Sequence, residues 1–487
     1  MNLQPKDVLT EQEVDKGLKR VVWDGLFSEA MTTLTGGAFI IAMAILMDAN
    51  NLQLGLIAAL PTMVNVFQLV SVWLVRQFNN RRAITVYCSL LARFPLILVG
   101  LVPILFPGFL SLELLIPVLF FYYLSGAIAG ASWNSWMKDL IPDNRLGAFF
   151  GRRSALMQTL NVILSLLLAF GLDFVKDNHP EWELQSYGVM FVLAGTSGMI
   201  GSSMLAATPE PKKIMPRENL FVMLRRPLRD ANFRRLLVFN SAWVFAVNIA
   251  MPFFNVFMMK SMNLPLSYII GFTILSQVSS ILTIRLWGKF ADRYSNKTII
   301  AIGAPIYIIC LLAWCFVGIW SYMWPNLLLL SVIHIMMGFS NAGINLSLTN
   351  IGLKLAPTSD AIIYLSAKNI VTAIFSALAP LAGGLLADYF TGRHLKVDAE
   401  WGGPRWTKSL HIIELQDWNF LFLIGALLAL VAVNLLAKVK EKGEVEKDVV
   451  VRIMRSTVRN NLKELFVIGS LMNGYSHIRD VFRRRFF

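Results

Sequence analysis

Charged residues are scarce in this chain of 487 residues, because Asp, Glu, Lys and Arg together make up only 15% of it. A soluble domain ordinarily contains about 25% of such residues, so the chain lacks the polar surface that a water-soluble globule needs. Cysteine is scarcer still. Cys88, Cys310 and Cys315 all lie inside apolar stretches, which excludes a disulfide framework and leaves no exposed pair for redox chemistry.

Motifs of enzymes and of nucleotide-driven pumps are also missing. The chain contains no P-loop, no G-x-S-x-G elbow and no H-E-x-x-H pattern. We therefore predict no enzyme activity, no cofactor and no metal site. The net charge of +14 comes from basic residues that are spread through short loops, without the clustering that a nucleic-acid partner requires.

Hydrophobic residues are abundant, since they make up 56% of the sequence and the mean hydropathy is +0.59. A helix that crosses a bilayer needs about 20 mostly apolar residues, because its backbone polar groups must be satisfied within the helix. The sequence offers twelve such stretches and predicts an all-α, polytopic membrane protein. The predicted spans are 24–47, 52–74, 83–106, 114–136, 154–174, 187–207, 235–259, 266–287, 298–320, 325–350, 361–390 and 418–438.

The distribution of Lys and Arg predicts the orientation of these spans. With the N-terminus inside, the great majority of the 44 basic residues fall in cytoplasmic segments. We therefore expect both termini in the cytoplasm and the chain in the plasma (inner) membrane. The predicted parts are a cytoplasmic N-terminus (1–23), a six-helix bundle (24–207), a basic cytoplasmic linker (208–234), a second six-helix bundle (235–438) and an amphipathic cytoplasmic tail (439–487).

Aligning the two halves so that Pro142 lies on Pro357 brings other residues into register as well. We call this fixed offset in residue number the repeat shift. It also places Arg153 on Lys368. Two duplicated six-helix units are typical of transporters in which a central site opens alternately to either side of the membrane. The repeat therefore predicts two pseudo-symmetric bundles around a hydrated pathway.

A loop between predicted spans eight and nine carries a recognisable motif. Residues 288–297 read GKFADRYSNK, which resembles the G-x-x-x-D-[RK]-x-G-[RK]-[RK] signature of the major facilitator superfamily. Ser295 replaces its glycine and Asn296 its first basic residue, and the copy in the first half is poorer, with Gln77 in place of the aspartate. Residues 137–153 resemble the loop between spans four and five of the same superfamily.

The resemblance implies the major facilitator fold and secondary transport by alternating access. It also implies that the loop packs against span eleven and stabilises the state closed to the cytoplasm. We expect the carboxylate of Asp292 to attract cations there, with Lys368 as a partner; a substrate role for Lys368 is the alternative. The predicted gating loop comprises Gly288, Asp292, Arg293, Lys297 and Lys368.

Polar side chains inside the spans are candidates for a solute site, because ionisable groups are costly in lipid. Glu29 is the candidate for a proton-binding carboxylate, although it could instead pair with Arg or Lys. By resemblance, spans one, four, seven and ten surround a central cavity, while hydrogen-bonded packing between helices is the alternative for each Asn. The predicted lining is Glu29, Asn134, Asn248, Asn255, His334, Asn341 and Asn345.

These observations predict a secondary active transporter that moves a small solute through the lipid bilayer and acts as a monomer. Either a proton gradient acting on Glu29 or the solute's own gradient would drive it. A membrane-embedded enzyme or sensor is the rival, but the scattered polar residues do not supply a catalytic cluster near one interface. The resemblance implies that the third span lies on the periphery, so Arg93 is expected to pair with an acid on a neighbouring helix rather than to bind the solute.

Overall fold

The computed structural model describes residues 3–106, 108–142, 145–212, 220–357, 361–403 and 406–441. Twelve helical segments in these ranges are long and apolar enough to cross a membrane. Six spans precede the linker: span 1 comprises α1 (Glu11–Thr35) and α2 (Gly37–Leu46), span 2 comprises α3 (Asn51–Met63) and α4 (Gln68–Phe78), and spans 3 to 6 are α5 (Arg81–Leu105), α6 (Leu112–Leu140), α7 (Leu146–Asn178) and α8 (Glu183–Ala206).

Helix α9 (Leu220–Arg229) lies in the linker region. The later spans are span 7, which comprises α10 (Ala231–Asn248) and α11 (Met251–Lys260), and spans 8 to 12, which are α12 (Leu266–Arg293), α13 (Asn296–Trp314), α14 (Met323–Leu355), α15 (Ala361–Phe390) and α16 (Asn419–Leu436). Between spans 11 and 12, β1 (His394–Gly403) and β2 (Trp406–Gln416) form an antiparallel hairpin. The predicted amphipathic tail falls almost wholly on 442–487, outside the described residues.

The spans form two six-helix bundles, as the sequence predicts. In the first bundle span 6 packs on spans 1 and 3, and span 4 packs on spans 2 and 3. In the second bundle span 10 packs on spans 8 and 9, and span 12 packs on spans 7 and 9. The most extensive contacts between the bundles join span 2 with span 11 and span 5 with span 8.

The first helix begins well before its apolar run. Thr10 forms a capping box in which its hydroxyl accepts the backbone N–H of Glu13 at 3.3 Å, and the Glu13 carboxylate accepts the backbone N–H of Thr10 at 3.0 Å. These bonds satisfy backbone groups that the start of a helix otherwise leaves unpaired. Hydropathy places the start of the apolar segment at residue 24, whereas the helix itself starts at Glu11.

Spans 1 and 7 are both interrupted, and at corresponding places. Span 1 breaks at Gly36, and the next residue, Gly37, has a φ of +59°, in the left-handed region that favours glycine. Span 7 breaks between Asn248 and Met251, just before Pro252. The repeat shift places Gly37 on Pro252. Interrupted helices at equivalent positions in two repeats indicate the neighbourhood of a binding site.

Within the first bundle, a carboxylate that follows span 6 holds the start of span 3. Glu210 accepts the backbone N–H groups of Arg81 and Arg82 at 3.0 and 2.9 Å, and the Nε of Arg81 at 2.8 Å. Arg81 also bonds Asp139 near the end of span 4. The buried Arg81 therefore connects three spans at this end of the bundle.

The second bundle repeats the arrangement after span 12. Glu441 accepts the backbone N–H of Lys297 at 2.8 Å, the Nδ2 of Asn296 at 2.8 Å and the Nζ of Lys354 at 3.1 Å. Burial alone would raise the pKa of Glu441, but these hydrogen bonds outweigh it and hold the pKa below its ordinary value. Since the repeat shift places 81–82 on 296–297, the two carboxylates bind equivalent helix starts in the two halves.

Candidate solute site and gates

One end of the molecule is closed by a carboxylate of the second bundle that accepts hydrogen bonds from the first bundle. Asp388, at the end of span 11, accepts the backbone N–H groups of Asn51 and Leu52 at 3.0 Å each. These are the first residues of helix α3 in span 2, where unpaired N–H groups and the helix dipole favour a negative charge. The indole of Trp418 adds a hydrogen bond to the Asn51 side chain at 3.2 Å.

The same contact is made a second time between spans 5 and 8. Asp173, near the end of span 5, accepts the backbone N–H groups of Leu266 and Ser267 at 2.8 and 2.9 Å. The repeat shift places this acceptor on Asp388, and it places the two donors of span 2 on the two donors of span 8. We call these two contacts the paired aspartate caps.

Close backbone packing reinforces the caps. A Cβ atom added to Gly55 of span 2 would lie 2.3 Å from the carbonyl oxygen of Pro380 in span 11. A Cβ atom on Gly384 would lie 2.6 Å from the carbonyl oxygen of Asn51. Side chains at these glycines would force spans 2 and 11 apart, so both glycines are required for the closure of this end.

A cavity that carries several charged side chains lies inside the first bundle. Its volume is about 450 Å³, and its walls come from all six spans of that bundle. Asn134 and Gln68 are among its exposed lining residues, so the cavity is open. Arg153 lines it from span 5, and because an α-helix rises about 1.5 Å per residue, Arg153 lies roughly 30 Å along that span from the capping residue Asp173.

A buried ion pair forms the deep wall of the cavity. Arg93 of span 3 is 6% exposed and Asp24 of span 1 is 3% exposed, and their charged atoms lie 3.9 Å apart. Arg93 also donates to Ser28 at 2.9 Å and to Ser202. The prediction that Arg93 pairs with an acid of a neighbouring helix is confirmed. A missing side chain at Gly198 leaves room for it, since a Cβ there would lie 2.8 Å from the Arg93 Cδ.

A second arginine lies nearer the mouth of the cavity. The Arg153 guanidinium is 4.8 Å from the ring centre of Trp133, and its Nε donates to the Val21 carbonyl at 3.4 Å. It also interacts electrostatically with Asp24 and Glu29. Two arginines and two carboxylates therefore lie together within one bundle.

The predicted lining residues fall in several places. Asn134 lines the large cavity. Asn255 lines a smaller cavity of about 210 Å³ at the broken part of span 1, and Thr32 lines both cavities. Glu29 is half-buried beside Arg153. Asn248 donates to Ser376 of span 11 at 3.3 Å.

The predicted residues of span 10 lie apart from both cavities as the structure describes them. The His334 ring stacks on Phe272 with centroids 5.2 Å apart, and its Nδ1 lies 2.9 Å from the Leu330 carbonyl. Asn341 is partly buried and Asn345 is exposed. A central lining shared by both bundles thus stays a prediction for these three positions.

In the predicted gating loop, the backbone N–H of Lys297 donates to Glu441. Lys368 is buried and donates to the Leu348 carbonyl of span 10 at 3.2 Å. A Cβ atom on Gly288 would lie 3.9 Å from the Leu346 Cδ2, and the Arg293 guanidinium lies 5.5 Å from the Tyr294 ring centre. The side chain of Asp292 lies outside what the structure describes, so its contact with Lys368 stays a prediction.

The sequence patterns indicated neither Arg153 nor Asp24 as a site residue. The repeat shift pairs Arg153 with Lys368, which suggested a boundary position rather than a cavity wall. Asp24 lies at the edge of its apolar run, where a charged residue attracts little notice. The available signal was the spacing of Asp24 and Glu29 on one helix, with cations on two other spans.

Twelve membrane helices in two repeated bundles, with gates at one end and a polar cavity, define a solute carrier of the membrane. The family model of the Major Facilitator Superfamily matches residues 25–380, and the chain belongs to that superfamily. It is a multi-pass membrane protein and a secondary transporter rather than an enzyme. No curated protein sequence gives a significant match.

Solved structures of transporters share the fold. A mutant of the nucleoside transporter NupG has a TM-score of 0.63 and 13% identity, with 88% of this chain and 100% of that chain covered. A bacterial homologue of the iron transporter ferroportin, in an inward-facing state, has a TM-score of 0.60 and 13% identity over 88% and 99%. The xylose transporter XylE from E. coli, in an inward-open conformation, has a TM-score of 0.59 and 12% identity over 90% and 99%.

Proposed function

We propose that this transporter binds its solute in the cavity of the first bundle and releases or receives it through the end opposite the paired aspartate caps. The observation that carries this proposal is the combination of an open, charged cavity with closure at the other end of the same helices. Alternating access requires one end closed while the other is open. The caps would separate when the opposite state forms.

We further propose that the open end faces the cytoplasm. The abundance of Lys and Arg at that end supports this orientation, which puts both termini inside. The plasma membrane as location, the action as a monomer and a small-molecule solute are parts of the same proposal. The predicted domain limits, with a linker over 208–234, fit the carboxylates that anchor the end of each bundle.

Proton coupling is the finer part of the proposal. Asp24 and Glu29 lie on one helix, 3% exposed and half-buried respectively. Arg93 faces Asp24 from span 3, Arg153 interacts with both carboxylates from span 5, and Asn161 of span 5 interacts with Glu29. A proton that neutralised either carboxylate would release an arginine, and this change of charge would couple proton binding to solute binding.

The test is a labelling experiment with a membrane-impermeant maleimide. Asn134→Cys would be introduced after the three native cysteines are replaced by serine. We expect labelling in inside-out vesicles and much slower labelling in right-side-out vesicles. Val8→Cys, which is 83% exposed in the N-terminal segment, reports orientation alone. Labelling of Asn134→Cys only from the face opposite Val8→Cys would contradict the proposal.

A further inference from the structure

Arg153 is held in a fixed position against the wall of the cavity. Its guanidinium lies 4.8 Å from the ring centre of Trp133, and its Nε bonds the carbonyl of Val21. Span 1 makes room for it at Gly25, where an added Cβ would lie 2.6 Å from the Arg153 Nε. A cation over an indole ring is stabilised by the ring's negative face. The group is therefore positioned before any solute arrives.

The two arginines of the cavity differ in what their terminal nitrogens do. Those of Arg93 donate to Ser28, Ser202 and the carbonyl of Gly198. Among the residues described, the hydrogen bond that Arg153 makes comes from Nε alone. The terminal nitrogens of Arg93 are therefore used in hydrogen bonds within the protein, whereas those of Arg153 remain available as donors at a cavity wall.

The charges of the lining favour one kind of ligand. The described lining carries two arginines and one carboxylate, that of Asp24. Asp24 lies against Arg93, so the charge of Arg153 is the one left uncompensated in the lining itself. Glu29 lies outside the lining, beside Asn161. Its carboxylate interacts with Arg153 and would compete with an anionic solute for that charge. Opposite charges attract strongly in such a partly desolvated site, and a cationic solute would be repelled.

We propose that the solute carries an anionic group, a carboxylate or a phosphate, and that Arg153 binds it through its two terminal nitrogens. The planar guanidinium matches the paired oxygens of both groups. Tyr122, Tyr123 and Trp133 line the same cavity and offer contact to an organic body. The cavity volume of about 450 Å³ falls within the range of roughly 300–1,000 Å³ that is common for small-molecule sites. This inference rests on the proposed solute site.

The experiment compares four ligands that share a phenyl ring and differ in the head group. Benzoate and phenyl phosphate are anions, benzamide is neutral and benzamidine is a cation. Binding to the full-length protein in detergent would be measured by isothermal titration calorimetry at one ionic strength. We expect an anion to bind at least tenfold more tightly than benzamide, and benzamidine to bind no better than benzamide.

Variants locate the binding. Arg153→Gln should weaken anion binding at least tenfold, and Arg153→Lys should restore part of it, because a lysine keeps the charge but not the fork. Arg152→Gln is the matched control, since Arg152 is an exposed neighbour outside the lining, and it should bind like the wild type. Asn134→Trp, which fills the cavity, should abolish binding.

The outcomes separate this inference from the proposed site. If benzamide or benzamidine binds more tightly than both anions and loses affinity in Asn134→Trp, the cavity is the solute site, but the inference that the solute is an anion is wrong. If anions bind equally to the wild type and Asn134→Trp, the cavity is not the site. Absence of anion binding by the wild type, or equal binding by Arg153→Gln, also overturns the inference.

Discussion

Single residues in the first bundle show how charge is tolerated inside a membrane helix bundle. The Arg93 side chain is buried, yet serine hydroxyls, a backbone carbonyl and the Asp24 carboxylate surround it. A buried charge is costly unless it is paired and hydrogen-bonded. The glycines of span 6 contribute by their small size, because Gly198 and Gly201 let span 6 approach this pair closely.

Removing one partner of this pair should cost more than removing both. We expect Arg93→Gln to reduce the free energy of unfolding by about 3 kcal/mol or more, because Asp24 is left buried without its cation. Asp24→Asn combined with Arg93→Gln should recover much of that loss. Thermal unfolding of the purified variants would measure this. A double variant less stable than the sum of the single changes would contradict the assignment.

Glu29 should matter for driving force rather than for folding. Glu29→Gln keeps the shape of the side chain but cannot change its charge, so we expect a pH gradient to lose its effect on uptake while solute exchange continues. The groups that interact with Glu29, Arg153 and Asn161, stay in place in this variant. Uptake by proteoliposomes with and without a gradient measures the effect. An unchanged response to the gradient would remove Glu29 from the coupling proposal.

At the scale of helices, the paired aspartate caps are the feature that hydropathy did not reveal. Asp173 and Asp388 match at the repeat shift, but so do many residues by chance, and nothing singles out a carboxylate near a loop. Their role depends on the N-terminus of a helix in the other bundle, which is a contact distant in sequence. The interruptions of spans 1 and 7 were likewise not predicted, although Gly36, Gly37 and Pro252 are residues that commonly interrupt helices.

The caps should set the balance between the two states of the transporter. A carboxylate at a helix start contributes about 0.3–1 kcal/mol, and up to about 2 kcal/mol when partly buried. We expect Asp173→Asn with Asp388→Asn to raise the population open at this end roughly tenfold, since about 1.4 kcal/mol corresponds to that factor. Labelling of a cysteine that replaces Leu54, which is 1% exposed and larger than cysteine, would measure the opening.

Asp177→Asn is the control for that experiment. Asp177 is exposed and lies one helical turn beyond the cap of span 5, so its loss should leave the labelling rate unchanged. If Asp177→Asn and the double cap variant gave the same rate, general surface charge rather than capping would explain the closure.

The anchor formed by Glu441 should depend on pH. Because its pKa lies below the ordinary value, its contribution is fully present above the ordinary carboxyl pKa of about 4.3 and is lost as pH falls through the lower folded-state pKa. Glu441→Gln should lower stability by about 2 kcal/mol at pH 7, with the difference shrinking below pH of about 4. Lys440→Gln, at an exposed neighbour, should show neither effect.

At the scale of the whole molecule, much of the fold could be predicted from the sequence because lipid imposes a simple rule on span length. The number of spans, the two bundles and the repeat follow from hydropathy and the repeat shift. The site was harder to predict. Polar stripes on spans 7 and 10 indicated a cavity shared by both bundles. The smaller cavity at Asn255 is lined by both bundles, whereas the cavity with the two arginines lies within the first bundle alone.

The reason is that a cavity forms where packing is incomplete, and spacing along one helix does not report packing. His334 satisfies its ring nitrogen on its own helix and stacks on Phe272. Arg153 was assigned to a loop boundary, yet Gly25 on another span lets it reach the cavity wall. Both outcomes depend on neighbours from other helices.

The central claim is that the two bundles close one end of the molecule while the other end is open, and that the closed end alternates. Distances between spin labels would test it most directly, with one pair at Lys176 and Tyr322 on the capped end and another at Arg152 and Leu353 on the open end, all exposed positions. In lipid, we predict that the double cap variant lengthens the first distance and shortens the second in the same fraction of molecules. A single unchanged distribution for both pairs would contradict alternating access in this chain.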